Sequence, residues 1–341
     1  GRIDMAKKLI EKAKECGADY VKFQTFKAEK LVAQNTALAN YQKSTAAANI
    51  DQLKLLKELE LTFDEFLELK EFSDDLSISF LSTAFDSESF EFIASLDLEM
   101  LKIPSGEITN LPFIYEHAKT KKDLIISTGM ANLDEIRKAL LAVVYGFKNI
   151  KPSSSQMEEK VLEQEDTIKK LKEKITLLHC TSEYPAPLDE VNLNAIKNLA
   201  PPFELNYGYS DHTDGISVSI AAAALGAKII EKHFTLDKKE QGPDHMASTE
   251  PDLFKEMVKH IREIDQALGS NLKKPTLSEI RNKDIVRKSL FAELEINKGE
   301  IFTKNNIIIK RPGTGMNPEK IWDLIGMKSK KTYKKNEIID E

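Results

Sequence analysis

Cysteine is scarce in this chain: only two of its 341 residues are cysteine. Cys16 falls on a predicted helix and Cys180 at the end of a predicted strand, which does not indicate the disulfide framework of a small secreted domain. Long apolar runs are also missing, since none approaches the roughly 20 residues needed to cross a bilayer. No signal-peptide pattern is visible. These absences predict a cytoplasmic protein without a membrane span.

Basic residues are in the minority. Lysine and arginine number 49 against 55 aspartates and glutamates, so the formal net charge is −6 and the isoelectric point is about 5.7. An acidic balance argues against a surface that binds nucleic acid. The hydrophobic content of 41% is ample for a buried core.

The sequence does contain a repeated alternation of strand-like and helix-like segments. The predicted strands are 19–24, 77–82, 100–103, 123–127, 174–180, 205–209 and 228–233. The predicted helices between them include 53–73, 87–95 and 191–199. Alternating strands and helices of this kind predict an α/β fold of the (β/α)8 or TIM-barrel type, of which seven strands are recognised in the sequence. The first predicted helix, 3–16, has no strand before it, so we expect a barrel that lacks its first strand, lying upstream of Gly1.

The pattern divides the chain into three parts. Residues 1–268 form the predicted barrel domain, in which 148–173 is an inserted charged helix and 27–50 a polar segment that could fold over the catalytic face as a lid. Residues 269–283 are polar, contain Pro275 and are predicted to be a linker. Short β runs and turns follow over 284–341, which predicts a small β-rich domain.

Two histidines lie at the corresponding ends of two consecutive predicted strands. His212 follows the predicted strand 205–209, and His233 ends the next strand, about twenty residues later. The helix between them makes a βαβ unit, whose two strands lie parallel and about 4.8 Å apart. We therefore expect both imidazoles at one edge of the sheet, where they could share a divalent metal ion.

Barrel strands end at the catalytic face, so the residues at those ends are candidates for binding and catalysis. They are Lys22, Gln24, Thr83, Phe85, Lys102, Ser105, Glu107, Ser127, Ser182, Tyr184 and Ser210. Two lysines, several hydroxyls and amides beside glycine suit a small phosphorylated anion. A metal with only two protein ligands suits a Lewis acid that polarises a carbonyl group. The residues therefore suggest carbon–carbon bond formation between a phosphorylated anion and a carbonyl compound.

Several motifs resemble those of the sialic acid synthase family. They include Lys22-Phe23-Gln24-Thr25, Lys102-Ile103-Pro104-Ser105-Gly106-Glu107, Tyr209-Ser210-Asp211-His212-Thr213, Glu231-Lys232-His233-Phe234 and Gly242-Pro243-Asp244-His245. The motifs run in family order over nearly the whole chain. The resemblance implies condensation of phosphoenolpyruvate with an open-chain N-acetylated hexosamine, giving a nonulosonic acid (a nine-carbon 2-keto sugar acid) and phosphate.

The resemblance also implies roles for single residues. Phosphoenolpyruvate would be held by Lys102, Thr83, Ser105, Ser127 and Ser210. His212 and His233 would bind Mn²⁺ or Mg²⁺, and Glu107 would be the general base. The sugar or the forming bond would contact Lys22, Gln24, Tyr184 and Asp244, in a pocket that also includes Phe85 and Ser182. The C-terminal domain resembles the antifreeze-like (SAF) domain of the family, whose arginine, here Arg311, reaches the partner's active site in a domain-swapped homodimer.

The sequence departs from the family pattern at three places, of which the change at Ser182 leaves the sugar open. The family's first strand carries a Glu and an Asn-His-Asn-Gly turn that precede this chain, Ser182 stands where Asn is frequent, and Ala84 stands where Pro is common. The hexosamine stays open between N-acetylmannosamine and a 2,4-diacetamido-trideoxyhexose, so the product is of the sialic, legionaminic or pseudaminic type. Two other functions stay open: a Schiff-base aldolase that uses Lys102 or Lys22 as nucleophile, and a non-catalytic sugar-binding relative.

Overall fold

The structure is a computed structural model and describes residues 1–38, 51–152, 159–199 and 205–341. It divides the chain into two compact units, Gly1–Gly269 and Ser270–Glu341. Half of the predicted lid, 27–50, and part of the predicted insertion, 148–173, lie outside the described residues. No helix of the described residues is long and apolar enough to cross a membrane.

A seven-stranded parallel sheet forms the centre of the first unit. Its strands are β1 (Tyr20–Thr25), β2 (Ser79–Ala84), β3 (Met100–Ile103), β4 (Asp123–Ser127), β5 (Ile175–Cys180), β6 (Asn206–Asp211) and β7 (Ile230–Lys232). Each strand pairs in parallel with the next one along the chain. Parallel neighbours in sequential order are what the βα repeat predicts, so the α/β architecture is confirmed. An eighth strand before the first helix stays a prediction.

The sheet is curled so that its first and last strands face one interior. Six strand spacings of about 4.8 Å would separate β1 from β7 by about 29 Å in a flat sheet. Instead, Lys22 Nζ on β1 lies 3.6 Å from Glu231 Oε2 on β7. Lys102 Nζ on β3 lies 3.0 Å from the same oxygen atom. Side chains of distant strands meet here only because the sheet bends around them.

Helices cover the outside of the sheet. Those of the first unit are α1 (Ile3–Glu15), α2 (Ala28–Leu31), α3 (Gln52–Leu59), α4 (Phe63–Asp75), α5 (Ser87–Ser95), α6 (Leu111–Lys119), α7 (Leu133–Lys148), α8 (Glu165–Lys174), α9 (Ile196–Leu199), α10 (Ser217–Ala224) and α11 (Pro251–Leu268). Their apolar faces join the outward side chains of the strands in one large core. Helices α6 and α7 approach so closely that a Cβ atom on Gly146 would lie 2.5 Å from that of Ala118.

The predicted helix 53–73 is two helices in the structure. Helix α3 ends at Leu59, and α4 starts at Phe63 behind Thr62, whose hydroxyl accepts from Glu65 N while the Glu65 carboxylate accepts from Thr62 N. This capping box satisfies the free amides of a helix start and therefore favours a break in the chain direction. Glu60 lies in the break, and its half-buried carboxylate accepts from Lys27 Nζ and Ala28 N. The predicted helix 191–199 is also mostly wrong, since only Ile196–Leu199 is α-helical.

The described part of the predicted insertion contains α8. Leu171 is buried in the main core, and Val161 and Leu162 pack against that core. These apolar side chains of the charged segment therefore pack against the core of the first unit itself. Lys174 at its end pairs with Asp123 of β4 at 2.7 Å.

The second unit contains α12 (Leu277–Val286), the antiparallel pair β8 (Ser289–Ala292) and β9 (Ile307–Lys310), and the short helix α13 (Ile321–Leu324). Its core is separate and includes Leu290, Phe302 and Tyr333. Helix α12 starts inside the predicted linker 269–283, because Thr276 and Glu279 form another capping box. The sequence pattern missed this helix because its residues show no apolar period and none is buried.

Candidate active site

The interior of the curled sheet has an apolar layer and, toward the carboxyl ends of the strands, a polar one. Leu81, Ile125 and Leu178 form the apolar layer. Side chains on a strand alternate, so the residues two positions further along face the same interior. Two of these, Thr83 and Ser127, are buried, and within the described part of the chain their hydroxyl oxygens contact no hydrogen-bond partner. Buried hydroxyls normally have a hydrogen-bond partner. The hydroxyls of Thr83 and Ser127 are therefore available to a ligand.

Glu231 lies at the centre of the polar layer. Its carboxylate accepts hydrogen bonds from Lys102 Nζ at 3.1 and 3.0 Å and from Ser210 Oγ at 2.7 Å. Lys22 Nζ lies 3.6 Å from the same carboxylate. Ser210 and Glu231 are direct neighbours in the β6–β7 pairing. The carboxylate on β7 thus contacts two cations and a hydroxyl from three other strands, β1, β3 and β6.

Burial and charge act in opposite directions on these groups. Burial alone raises the pKa of Glu231, but the charges of Lys102 and Lys22 outweigh it and hold this pKa below its usual range. Burial lowers the pKa of Lys22, an effect that Glu231 opposes and Lys102 reinforces. The group therefore carries two lysine side chains against one carboxylate, which suits the binding of a further anion.

His212 and His233 lie together at the same end of the sheet. Their ring centroids are 5.5 Å apart, and Tyr184 packs against His212 at 4.1 Å and against His233 at 5.3 Å. Burial lowers the pKa of His212 to about 4, with a further contribution from the charge of His233. Burial, reinforced by the Lys22 charge, also lowers the pKa of His233 to about 4. Both rings are therefore neutral at pH 7, the form that binds a metal ion.

The hydrogen bonds of His212 make it suitable as a metal ligand. Its Nδ1–H donates to the carbonyl oxygen of Thr181 at 2.6 Å, which leaves Nε2 as the nitrogen with the lone pair, 3.3 Å from Ser210 Oγ. A metal-binding histidine commonly donates its other ring nitrogen in this way. Asp244 Oδ2 lies 3.8 Å from His233 Nδ1. No group of three or more candidate ligands occurs among the described residues, so the two imidazoles would leave the other positions of an ion to substrate and water.

A second group of small polar side chains surrounds the backbone of Gly129. Gly129 N donates to Ser105 Oγ at 3.0 Å, and this hydroxyl lies 3.1 Å from Cys180 Sγ. A Cβ atom on Gly129 would lie 2.4 Å from Ser182 Oγ, 2.8 Å from Ser105 Oγ and 2.9 Å from Cys180 Sγ. Only glycine allows these side chains to approach the backbone so closely.

The other candidates lie apart from these contacts. Gln24 is exposed on β1. The Glu107 carboxylate accepts from Asn110 Nδ2 at 2.6 Å, and Phe85 packs edge-on against Phe26. Arg311 belongs to the second unit, where its Nε donates to the carbonyl oxygen of Val286.

Sequence reasoning missed the central position of Glu231 and the contacts of Cys180 and Gly129. The signal for Glu231 was present, because it shares a strand face with His233 and lies two residues before it. Nothing in the sequence showed that β1 and β3 would deliver lysines to it.

Comparison with known proteins gives concordant matches. The NeuB family matches residues 9–273. The chain is 46% identical to the N,N'-diacetyllegionaminic acid synthase of Campylobacter jejuni, over 100% of this chain and 96% of that protein. It is 43% identical to the N,N'-diacetyllegionaminic acid synthase of Legionella pneumophila, over 96% of this chain and 86% of that protein. Its structure is similar to that of the N-acetylneuraminic acid (sialic acid) synthetase of Leptospira borgpetersenii, with a TM-score of 0.67 and 30% identity over 82% of this chain and 85% of that one.

Proposed function

This chain belongs to the NeuB family of nonulosonic acid synthases, and from that premise we propose that it condenses phosphoenolpyruvate with a 2,4-diacetamido-2,4,6-trideoxyhexose. The products would be a diacetylated nonulosonic acid of the legionaminic type and phosphate. Two relatives with that named activity, at 46% and 43% identity, support this choice of sugar. The observation that carries the proposal is the meeting of two lysines and two neutral imidazoles at one end of the curled sheet.

Phosphoenolpyruvate is the proposed ligand of the lysine side. Lys22 and Lys102 would bind its anionic groups, since charge-assisted hydrogen bonds to phosphate and carboxylate are the strongest that side chains make. Thr83 and Ser127 offer hydroxyls that have no partner in the described residues. Ser105 and Ser210 add two more hydroxyls beside the same strand ends.

His212 and His233 are the proposed ligands of Mn²⁺ or Mg²⁺. When bound, such an ion supplies Lewis-acid polarisation of a carbonyl oxygen. Tyr184 lies tilted against His212, with ring centroids 4.1 Å apart. With Asp244, Gln24, Phe85 and Ser182 it would contact the sugar.

The reaction follows from these positions. Carbon C3 of the enol phosphate attacks the aldehyde carbon of the open-chain sugar, forming the new bond, and the aldehyde oxygen takes a proton. Water then adds at C2 and loses a proton, for which Glu107 is the proposed base. The C2 hydroxyl of the tetrahedral centre then gives its proton to the phosphate as the bond between C2 and the phosphate oxygen breaks. C2 becomes a ketone, and hydrogen phosphate leaves with the electron pair. Lys102 would stabilise the charge that gathers on the departing phosphate.

Four further properties belong to the same proposal. The curled sheet would be a (β/α)8 barrel completed by a strand before α1, and the second unit would be an antifreeze-like (SAF) domain. Two chains would form a domain-swapped homodimer in which Arg311, exposed on its own unit, completes the partner's site. The protein would act in the cytoplasm, where phosphoenolpyruvate is available and where free cysteines such as Cys16 and Cys180 are usual.

The test is phosphate release from phosphoenolpyruvate with three sugars: 2,4-diacetamido-2,4,6-trideoxymannose, N-acetylmannosamine and N-acetylglucosamine. We expect the first to give the highest kcat/KM, by about tenfold or more, as one well-matched polar contact provides. A preference for N-acetylmannosamine would contradict the choice of sugar.

The metal is tested in the same assay. EDTA should abolish phosphate release, added Mn²⁺ or Mg²⁺ should restore it, and His212→Gln should be inactive. His260→Gln is the matched control, because His260 lies on the surface between Glu256 and Glu263, and this variant should keep full activity. Phosphate release that is unaffected by EDTA would contradict the proposed metal requirement. Pyruvate trapped on a lysine by borohydride would favour the Schiff-base aldolase, and sugar binding without phosphate release would favour the non-catalytic relative.

A further inference from the structure

Asp211 and Lys232 form an ion pair enclosed almost completely beside the candidate site. Lys232 Nζ lies 3.0 Å from Asp211 Oδ2, and the two side chains are 1% and 0% exposed. Lys232 also donates to the carbonyl oxygen of Thr213 at 2.6 Å. Asp211 accepts from Thr213 N, Thr213 Oγ1 and Ser219 Oγ at 2.8, 2.7 and 2.5 Å. Each charge therefore has several partners, and the carboxylate accepts at both oxygens.

The pair lies between two pairs of residues that face the interior. Ser210 is paired with Glu231 in the sheet register, and Asp211 with Lys232. Because side chains alternate along a strand, Asp211 and Lys232 point to the outer face, toward Ser219 on α10. The next residue on each strand is a histidine, His212 or His233, which turns back to the interior. The ion pair thus connects the two strand ends immediately before the imidazoles.

His233 lies directly after the short strand β7, and its carbonyl oxygen accepts from Thr249 N at 2.8 Å. β7 has only three residues, and its pairing with β6 comprises three register positions. A slip of one residue would turn His233 to the outer face. Such a slip would also separate Asp211 from Lys232, and an unpaired buried charge costs about 3–5 kcal/mol.

Stability alone does not account for such a pair. A buried ion pair is often no more stabilising than apolar side chains of similar volume, because removing both charges from water costs as much as their attraction returns. What the pair does specify is the position of one strand end against the other.

We propose that Asp211 and Lys232 are positioning residues that set the separation of the His212 and His233 imidazoles and thereby the affinity of the site for a divalent cation. The inference rests on the proposed function, in which these rings bind Mn²⁺ or Mg²⁺. Neither residue contacts substrate in it. Loss of the pair frees the end of β7 and lets the two rings move apart.

The test compares Lys232→Met with wild-type protein by electron paramagnetic resonance of free Mn²⁺, with substrates absent. Supporting partners of metal ligands typically change affinity by about 10–100-fold, so we expect Mn²⁺ binding at least about tenfold weaker in the variant. At saturating Mn²⁺ the KM for phosphoenolpyruvate should change by less than about threefold, because the variant leaves the contacts of Glu231 with Lys22, Lys102 and Ser210 in place. Lys238→Met is the matched control: it removes a more exposed ion pair, with Asp214 at 2.7 Å, and should bind Mn²⁺ as the wild type does.

A second variant covers the case in which Lys232→Met does not fold. Ser219→Ala removes one hydrogen bond to Asp211 without leaving a charge unpaired, and it should weaken Mn²⁺ binding in the same direction, by about two- to fivefold. Folded variants with wild-type Mn²⁺ affinity would overturn the positioning inference alone. A wild-type protein that neither binds Mn²⁺ nor releases phosphate would overturn the proposed function, and the inference with it.

Discussion

Lys102 Nζ on β3 and Glu231 Oε2 on β7 lie 3.0 Å apart, although three strands separate them in the sheet. Lys102 is 3% exposed, so this contact is screened little by water. The Glu231 carboxylate already accepts hydrogen bonds from Lys102 Nζ. An anionic substrate that binds Lys102 would compete with it. In the proposed function, phosphoenolpyruvate would therefore bind beside this pair or draw the lysine away from it.

The first prediction concerns Lys102→Met. Removing this cation leaves Glu231 with Lys22 and Ser210 as partners, so we expect the free energy of unfolding to fall by about 2–3 kcal/mol, less than the roughly 3–5 kcal/mol for a fully unpaired buried charge. The dissociation constant of phosphoenolpyruvate should rise at least about tenfold. Urea denaturation and calorimetric titration measure the two effects.

The double variant Lys102→Met/Glu231→Gln separates them. The double variant should recover most of the lost free energy of unfolding, because the carboxylate that lost its partner is gone. It should not recover the affinity for phosphoenolpyruvate. Unchanged phosphoenolpyruvate affinity in the single variant would exclude Lys102 from the anion site.

A second prediction concerns Gly129→Ala. The new Cβ would lie 2.4 Å from Ser182 Oγ and 2.8 Å from Ser105 Oγ, so both hydroxyls must move. We expect at least a tenfold rise in the KM for phosphoenolpyruvate and a loss of about 1–3 kcal/mol of stability from overpacking. Gly106→Ala is the control, because a Cβ there meets nothing within 4 Å. Equal kinetics for the two variants would show that the Gly129 contacts are unimportant for binding.

A third prediction concerns acid stability. His117 is 1% exposed and packs against Phe90 and Phe113, and burial lowers its pKa from 6.5 to about 4. The unfolded chain therefore takes up a proton before the folded one does. The contribution of neutral His117 to the free energy of unfolding is fully present above pH 6.5 and is lost as the pH falls toward 4. This contribution is at most about 3 kcal/mol.

Chemical denaturation of wild type and His117→Leu between pH 7 and pH 4 measures this contribution. The variant should lose less stability over that range, because leucine takes up no proton. Parallel curves for the two proteins would mean that His117 makes no contribution to the acid sensitivity.

A fourth prediction concerns the proposed homodimer. Arg311→Ala should lose activity if the arginine completes a partner's site. Co-expression with the inactive His233→Gln chain should restore about a quarter of wild-type activity, since half of randomly formed two-fold dimers would carry one complete site. Activity that stays at background in the purified mixed dimer would argue against a shared site.

Much of the fold followed from local pattern. The bounds Met100–Ile103, Asp123–Ser127 and Ser87–Ser95 are those that the sequence predicts, because buried strands and capped helices depend on neighbours in the chain. The break between α3 and α4 was missed, since the apolar period continues across it and only the capping box at Thr62 marks it. Helix α12 was missed for the opposite reason: it is capped but has no apolar face.

The sequence by itself determined the order of strands, and with it the closeness of His212 and His233, because consecutive parallel strands are neighbours and side chains alternate along them. Only the tertiary structure decided that Glu231 meets Lys22 and Lys102. That contact depends on how far the sheet curls, which results from the packing of all its strands and helices together and is carried by no single segment.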